Sequence, residues 1–103
     1  YRYLGEYKAD MMYGYGVEEY AKGGPVARYD GYFKNDQRHG KGLLIFSNDD
    51  EYEGYFVKGA REGLGEMRTA ATGEKWFGTW KYGQKHGEGT RTQADGKTIK
   101  GTW

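Results

Sequence analysis

Cysteine is absent, which removes disulfides and thiolate metal sites from the functions open to the chain and is compatible with a reducing cytosol. No apolar run approaches the roughly 18 residues that a bilayer-spanning helix needs, and no signal peptide is recognisable at the start. A strong charge of either sign is also missing. Lys and Arg total 16 against 15 Asp and Glu, for a net charge of +1, so nothing in the balance points to nucleic acid. Leu, Ile and Val are sparse and proline occurs once, at Pro25. With a mean hydropathy of −1.05 and an apolar fraction of 36%, a conventional compact core is hard to build.

Such polarity would mean disorder if aromatics were scarce too. They are not: 11 Tyr, 4 Phe and 3 Trp make up 17% of the 103 residues, beside 19 Gly. Glycine and aromatics enriched together suggest rings lying over bare backbone. No amphipathic helical period occurs anywhere in the chain.

Internal repetition is the decisive feature. Aromatic-x-Gly-x-aromatic occurs as Tyr3-Leu4-Gly5-Glu6-Tyr7, Tyr29-Asp30-Gly31-Tyr32-Phe33, Tyr52-Glu53-Gly54-Tyr55-Phe56 and Trp76-Phe77-Gly78-Thr79-Trp80. Ile99-Lys100-Gly101-Thr102-Trp103 begins a fifth copy. The central glycines are separated by 26, 23, 24 and 23 residues. A Gly-x-Gly pair follows each full copy, at Gly14/Gly16, Gly40/Gly42, Gly63/Gly65 and Gly87/Gly89, and its first glycine always lies 9 residues after the central one. All variation in length falls after that pair, so insertions such as Lys22-Gly23-Gly24-Pro25 belong to loops.

The combined pattern, aromatic-x-Gly-x-aromatic, then His-Gly-x-Gly, then an Asp-Gly turn, resembles that of MORN repeats (membrane occupation and recognition nexus). Phe33 to Gly42 and Trp80 to Gly89 are nearest to it, with His39 and His86 ahead of their glycine pairs. Tyr13 and Glu62 stand at the histidine position in the other repeats, and Ile99 replaces the leading aromatic of the last. The resemblance spans residues 1–103 as repeats of about 3–28, 29–51, 52–75 and 76–98, with a fifth starting at 99–103, and the chain reads as a piece of a longer protein. It implies an all-β, elongated, single-layer twisted antiparallel sheet of tandem hairpins. It also implies a non-catalytic scaffold in cytoplasmic settings: cytoskeletal assemblies, cilia or flagella, and membrane-adjacent complexes.

The residues themselves argue for hairpins. Spacing of two places Tyr29, Gly31 and Phe33 on one face of a strand. It predicts Gly31 opposite Gly42, Tyr29 opposite Leu44, and Phe33 opposite Gly40 across a six-residue loop. Phe56 then faces Gly63, with Gly54 opposite Gly65. Trp80 faces Gly87, with Gly78 opposite Gly89. A glycine beside a ring leaves the ring unobstructed, which offsets the usual weakness of glycine in a strand. Asn48-Asp49-Asp50, Thr72-Gly73 and Asp95-Gly96 mark turns between repeats. At about 4.8 Å per strand the array should be about 40 Å long.

Two surfaces are candidates for function. The first is the aromatic stripe, with Tyr29, Phe33, Tyr52, Phe56, Trp76 and Trp80 at its centre. It is either the packing core of the repeats or a groove for a partner protein or a second copy, and the expectation is that partners bind along it. The second is the hairpin-loop edge. There Lys8, Lys34, Arg38, Lys58, Arg61, Lys81 and Lys85 stand against Asp10, Asp36 and Glu62, a net charge of +4. At about 1 kcal/mol per basic residue near an anionic membrane, that gives at most about 4 kcal/mol, or millimolar affinity. Phospholipid binding through Lys34, Arg38, Lys58, Arg61, Lys81 and Lys85 is therefore the alternative reading.

Catalysis finds little support. His39 and His86 lie about two repeats, or roughly 20 Å, apart, and Ser47 is the lone serine, in no nucleophile context. The Gly-x-Gly pairs lack the third glycine and the helix of a dinucleotide loop. Asn48-Asp49-Asp50-Glu51 lacks the alternating ligands and glycine of an EF-hand. No cofactor, metal or nucleic acid is expected.

Overall fold

The computed structural model describes all 103 residues. Nine strands follow one another: β1 (Arg2–Lys8), β2 (Met11–Glu19), β3 (Val26–Lys34), β4 (Gln37–Phe46), β5 (Glu51–Val57), β6 (Ala60–Arg68), β7 (Lys75–Lys81), β8 (Gln84–Thr92) and β9 (Thr98–Thr102). They form one open antiparallel sheet in sequence order. The molecule measures 46 × 27 × 17 Å, a length near that expected from strand spacing alone. There is no helix, so none is long and apolar enough to cross a membrane.

Register follows the glycines in part. Gly31 pairs with Gly42 and Tyr29 with Leu44, and Gly54/Gly65 and Gly78/Gly89 pair in the same way. The second aromatic of each motif does not meet its own Gly-x-Gly. Phe33 pairs with Arg38, Phe56 with Arg61 and Trp80 with Lys85. The expected six-residue loops are two-residue turns instead: Ala9-Asp10, Asn35-Asp36, Lys58-Gly59 and Tyr82-Gly83, with both residues of each at positive φ. Those dihedrals describe type I′ turns, whose twist matches that of the flanking strands.

The residues displaced by this tighter turn collect in a bulge. Between the Gly31–Gly42 and Phe33–Arg38 pairs, Tyr32 alone on β3 faces His39, Gly40 and Lys41 on β4. Gly40 has φ +93°, and Gly14, Gly63 and Gly87 at the equivalent position have φ of +73° to +75°. The first glycine of Gly-x-Gly is thus a bulge glycine, required by its left-handed backbone. It pairs forward into the next repeat: Gly14 with Phe33, Gly40 with Phe56 and Gly63 with Trp80. The invariant nine-residue offset therefore fixes how one repeat docks on the next.

The second glycine serves a different need. Tyr29 lies over Gly31 and Gly42, where a Cβ on Gly42 would meet Tyr29 Cε1 and Cζ at 2.5 Å. Tyr52 covers Gly65 in the same way, and Trp76 covers Gly89. The Tyr29 hydroxyl then donates to the Tyr32 carbonyl at 2.9 Å, and Tyr52 to Tyr55 at 3.1 Å, so each polar end is satisfied at the bulge.

Candidate functional site

Alternation separates the sheet into two faces. One, the ring face, carries nine aromatic rings in contact: Tyr7, Tyr3, Phe33, Tyr29, Phe56, Tyr52, Trp80, Trp76 and Trp103 form one chain in that order. Centroids along it are 5.0–5.2 Å apart and planes are inclined at 80–88°. Edge-to-face pairs of this kind contribute about 0.5–1.5 kcal/mol each beyond burial. Every second link joins neighbouring repeats, so the chain of rings reinforces the backbone ladders between them.

The six rings expected to meet a partner, Tyr29, Phe33, Tyr52, Phe56, Trp76 and Trp80, are only 0–4% exposed. Together with Leu44 they are the core, and side chains on the same face cover them. Basic side chains lie on top. The Arg38 guanidinium sits 5.3 Å from the Tyr29 ring centre and 5.7 Å from that of Tyr20. Arg61 lies 4.9 Å from Trp80, 5.8 Å from Tyr52 and 6.0 Å from Phe46, and Lys85 lies 5.2 Å from Trp76. A ring supplies a negative face to a cation, and a flat guanidinium also stacks on it. The outer surface of this face is a row of cations over rings, flanked by the half-buried Phe46 and Met67.

This placement changes the basic edge as well. Arg38, Arg61 and Lys85 pair with ring-face residues and sit in strands rather than in loops. Lys8, Lys34, Lys58 and Lys81 remain at the hairpin tips against Asp10 and Asp36, a net charge of +2, while Glu62 lies in β6 beside Arg61. At about 1 kcal/mol per basic residue near an anionic surface, the tips alone attract a membrane weakly. Asp36 and Glu62 also accept backbone N–H groups, from Met12 at 2.7 Å and from Tyr82 at 3.1 Å. Their carboxylates hold adjacent hairpins together.

On the opposite face Leu4, Tyr15, Tyr32, Tyr55, Leu64 and Phe77 are about half exposed. An open groove of about 590 Å³ runs there between Leu64, Phe77 and Lys100, floored by Gly78, Gly89 and Gly101. No three His, Cys, Asp or Glu side chains converge as a metal set. The two histidines occupy equivalent bulge positions in different repeats.

Compared with known families, the chain matches the MORN repeat at residues 3–24, 29–51, 52–70 and 76–98. The chain belongs to the MORN-repeat family. MORN repeats are in general modules of protein or membrane interaction. Among curated proteins, alsin from Homo sapiens, Mus musculus and Rattus norvegicus is similar to this chain, each 32% identical over 79 residues. That alignment covers 73% of this MORN array and 5% of alsin. The chain thus corresponds to about a twentieth of the length of these relatives.

Sequence reasoning missed the cations above the rings. The signal was present in the recurrence of Arg38, Arg61 and Lys85, each five residues after the second aromatic of its motif. A two-residue turn places such a residue directly across the ladder from that aromatic, whereas a six-residue loop leaves it in solvent.

Proposed function

We propose that this MORN array is a non-catalytic scaffold segment that binds a partner protein, or a second copy of itself, across its ring face. The observation that carries the reading is the single layer. No second sheet or helix covers the ring face, and its top surface mixes cations, aromatic edges and thioethers, a composition suited to a protein partner. A cytoplasmic setting in a cytoskeletal, ciliary or flagellar assembly fits such an extended platform. The alternative is a peripheral membrane module that holds anionic phospholipid through the tip lysines.

Site-specific photo-crosslinking in cells separates these readings. A photoreactive residue is placed in turn at Met67 on the ring face, Tyr55 on the opposite face and Lys58 at a hairpin tip. A protein adduct from position 67 supports the scaffold reading. Adducts confined to position 55 move the interface to the other face. Lipid adducts confined to position 58 replace the scaffold with the membrane module.

A further inference from the structure

Five of the six arginines have a carboxylate within ion-pair distance. Arg2 pairs with Glu19, Arg28 with Asp30 at 3.2 Å and Arg38 with Glu18 at 3.7 Å. Arg68 reaches Glu51, Glu53 and Glu66 at 2.9–3.4 Å, and Arg91 reaches Glu74 at 3.9 Å. Arg61 has none, although it is only partly exposed and rests on three rings. The repeat register explains why. Glu18, two residues after Gly16, pairs across the ladder with Tyr29 and is there to meet Arg38 above that ring. The equivalent residue below Arg61, two after Gly42 and paired with Tyr52, is Leu44. An apolar side chain stands where the neighbouring repeat has its counter-ion.

A guanidinium has five N–H donors. One of those on Arg61 Nη2 goes to the Gly83 carbonyl at 2.8 Å, which anchors one end of the group, and the others have no acceptor within the protein. Burial among the rings lowers the Arg61 pKa from its ordinary value. A partly dehydrated, oriented and unpaired cation is costly, and the arrival of an anion relieves that cost. Beside it opens a groove of about 410 Å³ lined by Pro25, Phe46, Ser47, Asn48, Asp50 and Met67. Asp50, the carboxylate lining the groove, is engaged elsewhere. It accepts from the Ala70 N–H at 2.8 Å and from Asn48 Nδ2 at 3.1 Å.

The geometry points to Arg61 and this groove as the receptor for an acidic residue of a partner protein, its carboxylate on the free edge of the guanidinium and an adjacent apolar side chain against Phe46 and Met67. This rests on the ring face being the protein-binding face. A singly charged carboxylate suits the site better than a phosphate headgroup. Pro25, Phe46 and Met67 give the groove an apolar lining that matches a side chain rather than a hydrated headgroup. Arg61 also lies on the ring face, apart from the exposed tip lysines that a membrane edge would meet.

The probe is a capped heptapeptide of alternating glutamate and leucine, with its glutamine counterpart as control. Binding is followed through the Arg61 Nε–H resonance and the Trp80 indole N–H resonance. The glutamate peptide should shift the Arg61 resonance, and the glutamine peptide should bind about tenfold more weakly or worse. R61Q should lose a comparable factor, R61K should recover little because it lacks the planar fork, and K58Q should stay within about twofold, as a rim charge does. Equal affinity for the two peptides, an unmoved Arg61 resonance, or unaltered binding by R61Q would each overturn the assignment. Arg61-dependent binding to phosphatidylserine vesicles without peptide binding would overturn it in favour of lipid. The resonance is read on the unmodified protein, so the test survives a variant that fails to fold. A ring-face crosslink that persists in R61Q discards Arg61 and leaves the scaffold reading intact. Loss of that crosslink in the unmodified protein discards the reading beneath it.

Discussion

Tyr29 and Phe56 belong to successive repeats and meet edge to face, with ring centres 5.2 Å apart and planes inclined at 88°. Phe56 also meets Tyr52 of its own repeat at 5.2 Å. It is therefore a hinge pin in the chain of rings, buried to 1% exposure. In a compact domain such a residue would be one of many core contacts. In a single sheet, rings like this one add side-chain coupling to the β4–β5 backbone ladder that joins the two repeats.

Phe56→Ala should cost about 3–5 kcal/mol, the range for truncating a buried Phe. Because both its ring contacts are lost, unfolding should also become less cooperative, with the segments before and after β5 melting separately. Chemical denaturation followed by circular dichroism measures both. A single transition at unchanged midpoint would show that the rings do not couple the repeats.

Glycine substitutions should divide sharply by position. A Cβ on Gly54 would lie 2.5 Å from Gly65 Cα and 2.6 Å from the Leu64 carbonyl oxygen, and neither backbone atom can move alone. Around Gly24 there is nothing within 4 Å. Gly54→Val should therefore destabilise by about 3 kcal/mol or more, beyond the usual cost of overpacking, while Gly24→Ala should stay within about 0.5 kcal/mol. Equal melting temperatures for the two variants would contradict the close approach of β5 and β6.

These contrasts also show how far the residues alone can be read. Period-two spacing and the paired glycines announced the hairpins, the ring face and the Gly31–Gly42 register, because each depends on chemistry local to one strand or one pair. The hairpin turns stayed hidden. Ala9-Asp10, Asn35-Asp36 and Tyr82-Gly83 are none of them the Asn-Gly or Asp-Gly pairs that signal a type I′ turn, and a glycine at the bulge invites pairing with the nearest ring. Once Gly40 is known to have positive φ, its partner becomes Phe56 rather than Phe33. That shift of register is what carries Arg38 and Arg61 from the loops onto the rings.

The turn assignment has a direct consequence at Tyr82, which has φ +52° and is 79% exposed. A bulky residue in the left-handed region is strained by about 1 kcal/mol, and asparagine tolerates that region. The turn is also held through backbone atoms, by Glu62 on the Tyr82 N–H and by the Arg61 carbonyl on the Gly83 N–H, both at 3.1 Å. A new side chain leaves these bonds in place. Tyr82→Asn should therefore stabilise the array by about 0.5–1 kcal/mol, read as a rise in melting temperature. A fall would mean that the exposed ring contributes packing that outweighs the strain.

Alkaline pH should weaken the ring face through its buried phenols. Burial pushes the Tyr52 pKa from 10.0 up to about 12, against a smaller opposing pull from Arg61, and burial raises Tyr29 as well. The folded state thus favours the neutral phenol. Below pH 10 both folded and unfolded chains keep the proton, and the full stability is present. Between pH 10 and about 12 the unfolded chain loses it first, so stability falls through that window, by on the order of 2–3 kcal/mol from Tyr52. Tyr52→Phe removes the titrating group. It should cost about 1 kcal/mol at neutral pH, where the Tyr55 carbonyl loses its donor, and should flatten the alkaline fall. Denaturation midpoints of both proteins at about pH 8, 10 and 11.5, below, at the start of and inside that window, make the comparison. If the two curves descend in parallel, the phenol of Tyr52 ionises as readily in the folded sheet as outside it, and its burial under Arg61 is not as described.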